Sequence, residues 1–213
     1  MLMKYLNVEK DKEHFNVDTH EKLYRRLTAG SDWILPFIKE YLTKHNLTFK
    51  KGLEMGAGEG HLGLELLEEG FYETMDFADI NPLSEKYITK EIKDRGLEDK
   101  CRVFIGDTFE NVPDTDYDNV ICNPPHYQQP TMQINHKDVG YGYLPFVASV
   151  DEDWKFRKSI FKDLNQYAKS FITLESVWGS SIQVLEYLIQ ENQEIHHYEV
   201  LNKMWWVAHI KTI

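Results

Sequence analysis

The chain has 213 residues, with 24 Lys and Arg against 35 Asp and Glu, a net charge of −11 with histidines neutral. Hydrophobic residues at 42% and aromatics at 13% exclude a disordered chain and suffice for one domain with a sizeable core. The acidic balance argues against a nucleic-acid binder held mainly by phosphate contacts, while leaving room for a local basic patch from Lys4, Arg25 and Arg26. Cys101 and Cys122, the two cysteines, lie in apolar runs; this excludes a disulfide framework and fits free thiols in a reducing compartment. No apolar run approaches membrane-spanning length, and the opening Met-Leu-Met-Lys lacks a signal-peptide core, so the expectation is a soluble cytoplasmic protein.

In chain order, Asp18 with Glu21 reads as a capping arrangement for a helix carrying Leu23, Tyr24 and Leu27. Ser31 and Asp32 then cap a second helix with Trp33, Phe37, Ile38 and Tyr41 at helical spacing, which admits Pro36 only in its first turn. Residues 1–46 thus form a helical segment, expected as a lid over the main domain at 47–213, with simple packing as the alternative. Strands are expected at Gly52–Gly56, Met75–Asp79, Arg102–Ile105, Asn119–Cys122 and Phe171–Leu174. Helices fall between them: Glu59–Glu69, a run from Leu83 closed by Gly96, Trp154–Tyr167, and a last one carrying Ile182, Leu185 and Ile189. Two further strands, near Ile195–Leu201 and Trp205–Ile213, follow in succession. The alternation predicts an α/β fold, a Rossmann-like doubly wound and mostly parallel sheet of seven strands with a C-terminal antiparallel hairpin. Residues 127–150 interrupt it as a long insertion rich in Gln, Pro, Gly and Tyr, a length that marks functional or disordered loops.

Glu54-Met-Gly56-Ala-Gly58-Glu-Gly60 ends the first strand and opens a helix; its glycines permit positive φ and close approach of a ligand. The same letters hold Gly58-x-Gly60-x-x-Gly63, a dinucleotide fingerprint that is weak alone. Glu54 tilts the reading, because a carboxylate there repels a pyrophosphate and suits a cationic ligand. Asp79, ending the second strand 21 residues after Gly58, is placed to accept two ribose hydroxyls, and Asp107 after Gly106 to receive an adenine amino group. Solvated strand-end acids are the plain alternative. Glu54-x-Gly56-x-Gly58-x-Gly60, Asp79-Ile80-Asn81-Pro82 and Gly106-Asp107 resemble the first three motifs of class I S-adenosylmethionine-dependent methyltransferases. The resemblance implies S-adenosyl-L-methionine as cofactor, held by Glu54, Gly56, Gly58, Gly60, Asp79, Ile80, Asp107 and Asn123, and makes 47–213 the methyltransferase domain.

Asn123-Pro124-Pro125-His126 ends the fourth strand and faces the same crevice, since ligands of doubly wound sheets bind at the carboxyl ends of strands. The Asn123 amide oxygen and the Pro124 carbonyl form two adjacent acceptors suited to the two in-plane hydrogens of a planar amino group. Held that way, the nitrogen presents its face to an electrophile. The element resembles the Asn-Pro-Pro-aromatic signature of amino-methyltransferases acting on glutamine amides, adenine or cytosine, with His126 where that group has Tyr, Phe or Trp. His126 is expected to stack on the acceptor or to take its proton, with a plain loop hydrogen bond as the alternative. Asp153–Ile160 and Phe171–Ser176 extend a diffuse similarity to the release-factor-type protein glutamine methyltransferases, whose full helical recognition domain does not fit in 1–46.

The expected function is therefore N-methylation of a planar amino or amide nitrogen, with Asn123, Pro124, Pro125 and His126 catalytic and His126, Tyr127 and Tyr141 binding the acceptor. A protein (glutamine-type amide) or small-molecule acceptor is favoured over nucleic acid on charge. The alternatives are an adenine N-methyltransferase on RNA or DNA, a cofactor-binding subunit without turnover, and, more distantly, an NAD-dependent oxidoreductase. Among the nine histidines no pair stands at i, i+4 with a third ligand near, and His196 and His197 point to opposite faces of a strand, so no metal and no membrane partner are expected. Sequence leaves the oligomeric state open.

Overall fold

A computed structural model describes residues 31–113, 115–126, 151–177, 180–203 and 205–213. The capped helix expected at Asp18, and the insertion with Tyr127 and Tyr141, lie outside the described residues. The elements are α1 (Ser31–Lys44), β1 (Phe49–Met55), α2 (His61–Glu68), β2 (Tyr72–Asp79), α3 (Pro82–Arg95), β3 (Cys101–Ile105), β4 (Asn119–Cys122), a 3-10 turn (Glu152–Trp154), α4 (Lys155–Tyr167), β5 (Ser170–Ser176), α5 (Ile182–Leu188), β6 (Gln193–Val200) and β7 (Trp205–Thr212).

The seven strands form one sheet in the order β3-β2-β1-β4-β5-β7-β6. β1 pairs in parallel with β2 and β4, β2 with β3, and β4 with β5. β7 runs antiparallel to both β5 and β6 and lies between them. The expected doubly wound sheet and terminal hairpin are both present, with the later hairpin strand inside and the earlier one at the edge. Burial explains the choice: β7 holds five consecutive buried residues, whereas β6 alternates half-buried with exposed positions over most of its length. β4 and β5 are buried at every position, as parallel strands covered on both faces require.

Helices α1 to α3 cover one face through Ile34, Ile38, Leu42, Leu62, Leu66 and Ile88. α4 and α5 cover the other through Ile160, Phe161, Leu164 and Leu185. Pro36 departs from expectation, since it lies inside α1 rather than in a first turn. The missing N–H costs one helical hydrogen bond, but Ile34, Ile38 and Leu42 are fully buried along the same stripe, and that burial outweighs the loss.

Gly52 is a packing requirement. The Tyr72 ring crosses the central strand at this point to donate from its hydroxyl to Asn119 Oδ1 at 2.7 Å, and Asn119 Nδ2 donates to Ser170 Oγ at 2.9 Å. A Cβ on Gly52 would stand 2.4 Å from Tyr72 Cδ1. Gly52→Ala is expected to cost about 1–3 kcal/mol through overpacking, read as a lowered urea midpoint; an unchanged midpoint would show that the Tyr72 bridge yields freely.

Candidate active site

The candidate site lies at the carboxyl ends of β1, β2 and β4, where strand order reverses between β1 and β4. The turn after β1 places Gly56, Gly58 and Gly60 at φ of 68°, 58° and 76°, the left-handed region in which a side chain would be strained. Two carboxylates lock it. Asp79 accepts from Gly58 N at 2.7 Å and from Asn81 N at 2.7 Å, tying the turn to the end of β2. Glu54 accepts from Gly63 N at 2.8 Å, tying β1 to the first turn of α2. Asn81 then caps α3, its side chain accepting from Leu83 N at 3.0 Å, with Pro82 in the first turn.

Glu54 is only 2% exposed and so lies beneath the turn. Burial pushes its carboxyl up to about 8, against the opposing pull of the Gly63 amide. Burial likewise raises Asp79, opposed by the amides of Asn81 and Gly58. Asp79 keeps partial exposure at the lip of the crevice beside Ile80. Asp107 is exposed after β3 and opens onto a cleft of about 360 Å³, shared with Thr108, Phe109, Ser159, Asp163 and Tyr167.

At the end of β4, Asn123 Oδ1 is buried and has no hydrogen-bond partner among the described residues; His126 Nδ1 is in the same condition. A buried acceptor without a donor is costly, and at a crevice it marks a place for a ligand's N–H. Pro124 is buried, and His126 sets its ring edge-on against Trp205, with centroids 4.7 Å apart at 62°. Burial lowers His126 to about 4, so the ring is neutral at physiological pH and is a weak proton acceptor. Trp206, next to it, packs in the sheet core, which meets the expectation that one of the two tryptophans does so.

What holds this loop in place escaped the sequence reading. Arg157 on α4 is 1% exposed, and its NH1 group donates to the Pro125 carbonyl at 2.7 Å and to Asp151 Oδ2 at 2.8 Å. Its Nε and NH2 groups bind the two oxygens of Glu175 on β5 at 3.1 and 2.7 Å. Thr173 Oγ1 and Ser180 Oγ also donate to Glu175, and the Trp154 ring lies 4.9 Å from the guanidinium. Ionic partners hold Glu175 below its ordinary range despite full burial. A signal was present: Arg157 occupies a core-facing position of the Ile160, Phe161, Leu164 stripe, where a guanidinium requires buried carboxylates.

The pattern of the methyltransferase small domain family matches residues 24–138, just over half of the chain. The chain belongs to the methyltransferase small domain family. That membership bears out the resemblance to S-adenosylmethionine-dependent methyltransferases drawn from the motifs. A release factor glutamine methyltransferase of Aquifex aeolicus is 28% identical over 127 residues, 58% of this chain and 45% of the relative. A ribosomal protein uL3 glutamine methyltransferase of Bordetella pertussis is 27% identical over 86 residues, 40% of this chain and 29% of the relative. The chain thus spans less than half the length of these curated relatives. Among solved structures, M. capricolum TrmK, in complex with S-adenosyl-homocysteine, superposes with TM-score 0.53 at 15% identity, covering 76% of this chain and 62% of that one. TrmN from Thermus thermophilus gives 0.59 at 12%, covering 82% and 48%. These two establish a shared fold.

The residues present fit a nucleoside donor of the kind this family uses. The outer side of Gly56 is open, an added Cβ meeting only Phe156 Cζ at 3.4 Å among the described residues.

Glu54 has a measurable signature. Its folded pKa of about 8 lies above the ordinary 4.5, so the folded chain holds this proton more tightly than the unfolded chain. The resulting stability is complete below the unfolded value and is lost as pH rises through the folded one. Glu54→Gln is therefore expected to reduce the fall in stability between about pH 5 and 8, read from urea midpoints at both ends; an unchanged fall would mean the carboxyl is ionised throughout. Arg157→Met leaves two buried carboxylates without their cation and is expected to cost about 3–5 kcal/mol in the same assay.

Proposed function

We propose that this chain transfers a methyl group from S-adenosylmethionine to the side-chain amide nitrogen of a glutamine in a protein. The reading is carried by the buried, unpartnered Asn123 Oδ1 at the head of Asn-Pro-Pro-His. The glutamine methyltransferases among the relatives support the choice of acceptor. So does the acidic net charge of −11, which disfavours a polyphosphate acceptor.

In this reading the turn from Gly56 to Gly60 holds the donor, Asp79 its ribose and Asp107 its adenine. When bound, the donor supplies an electrophilic methyl group on a cationic sulfur. The chain's own residues do the rest. Asn123 Oδ1 and the Pro124 carbonyl accept the two amide hydrogens, fixing the nitrogen plane so that its face points along the line of transfer. An amide nitrogen is a poor nucleophile because its lone pair is delocalised into the carbonyl. Acceptors on both hydrogens strengthen as positive charge grows on that nitrogen, which stabilises the transition state more than the ground state, and one of the two N–H protons then leaves to water.

Two features behind the loop act in the same sense. Arg157 faces two carboxylates, Asp151 and Glu175, so the buried triad carries one net negative charge under the acceptor site. That charge favours a nitrogen becoming cationic in a medium of low dielectric. His126, held neutral by burial, adds an apolar ring edge and a hydrogen-bond acceptor without placing a positive charge beside a sulfonium. Arg157 and Glu175 are also positioning residues, since Arg157 holds the Pro125 carbonyl and Glu175 holds Arg157.

The test incubates the purified chain with methyl-labelled S-adenosylmethionine and separate pools of ribosomal and release-factor protein, tRNA and DNA. Label is expected in protein, recovered as N5-methylglutamine by mass spectrometry; label in adenine instead would overturn the proposal. Asn123→Ala is expected to slow transfer by about 100-fold or more, the scale for one positioned hydrogen-bonding group, with donor affinity by calorimetry unchanged. Parallel loss of donor affinity would assign Asn123 to the donor site.

A further inference from the structure

Two imidazoles and a carboxylate from distant parts of the sequence meet where α1 packs against the edge of the sheet. His45 follows the last residue of α1, while His197 and Glu199 lie two apart on β6 and so share a face. One ligand atom of each lies within 4.8 Å of the others. The His45 and His197 rings stand 4.3 Å apart at 52°, with the His45 and Glu199 side chains 27% and 29% exposed. His45 Nε2 lies 3.2 Å from Glu199 Oε2, and the Tyr41 hydroxyl lies 3.3 Å from His197 Nδ1.

We propose that His45, His197 and Glu199 form a zinc-type divalent metal site that clips the end of α1 to the edge strand β6. Two imidazoles with one carboxylate are the donors that zinc takes, at about 2.0–2.2 Å, and a tetrahedral ion sets such atoms about 3.4 Å apart. Closing from 4.8 Å asks for small side-chain adjustments at a helix end and an edge strand, where partial exposure permits them. The metal takes the place of the hydrogen bond between His45 Nε2 and Glu199 Oε2, and any proton on that nitrogen leaves to solvent. It takes Nε2 of His197, because Nδ1 faces Tyr41, whose oxygen then accepts from Nδ1–H and fixes the ring as a partner in the outer shell. Lys44 stands 2.7 Å from the other Glu199 oxygen, but its side chain is 57% exposed, and an ion pair of that kind is weak enough to give way. A fourth position is left for water. None of these residues belongs to the methyl-transfer site, so the clip stands independently of that reading.

The test uses the full chain, stripped with a chelator and titrated with zinc chloride by calorimetry, with cobalt(II) absorption reporting a tetrahedral site. One equivalent is expected to bind and to raise Tm. His45→Ala/His197→Ala and, separately, Glu199→Gln are expected to weaken that affinity at least tenfold and to abolish the Tm rise. Equal zinc binding by wild type and variants would place the metal on other histidines and overturn the proposal, as would no binding by wild type. If circular dichroism shows the double variant unfolded, the near-isosteric Glu199→Gln decides.

Discussion

Arg157 makes four side-chain hydrogen bonds inside the protein, joining α4, β5, Asp151 and the carbonyl of Pro125 through one planar group. Removing a guanidinium from water is expensive, and only the two carboxylates with good geometry offset it. That constraint ties the Asn123–His126 loop to a strand, β5, that is buried along its whole length. A short irregular segment thereby acquires the rigidity of the core. Proline at 124 and 125 removes two backbone donors, so the loop cannot fold back into a turn that would satisfy Asn123 locally.

The glycine turn solves the matching problem on the other side of the crevice. Asp79 accepts the amide of left-handed Gly58 together with that of Asn81, and Glu54 accepts the amide of Gly63 where α2 begins. The two acids differ in depth. Asp79 stands at the lip, while Glu54 is covered and its carboxyl is raised to about 8 by burial.

Much of this was legible in the sequence. The 3.6-residue stripes of α3 and α4, the unbroken apolar runs of β4 and β5, and the glycine turn preceding a helix each imply one local geometry. The position of Asn-Pro-Pro-His follows from strand polarity, which sends every parallel strand end to the same rim. Other features depend on contacts that spacing does not encode. Arg157 meets Glu175 and Pro125 across 18 and 32 residues. His45 meets Glu199 across 154, beyond any helical or hairpin register. Pro36 misled for the opposite reason: the local rule was sound, and burial of Ile34 and Ile38 overrode it. The depth of Glu54 is likewise set by the packing of α2 on β1, which its position before the glycines does not encode.

The order of strands also bears on how the chain is made. β7 follows β6 in sequence but lies inside it, so the sheet cannot be zipped from one side to the other as residues leave the ribosome. β6 has to wait unpaired until β7 emerges and slots between it and β5. Trp205, whose ring backs His126, arrives in that same late step. A nascent chain can therefore complete its glycine turn well before the Trp205 ring closes against His126 at the end of β4.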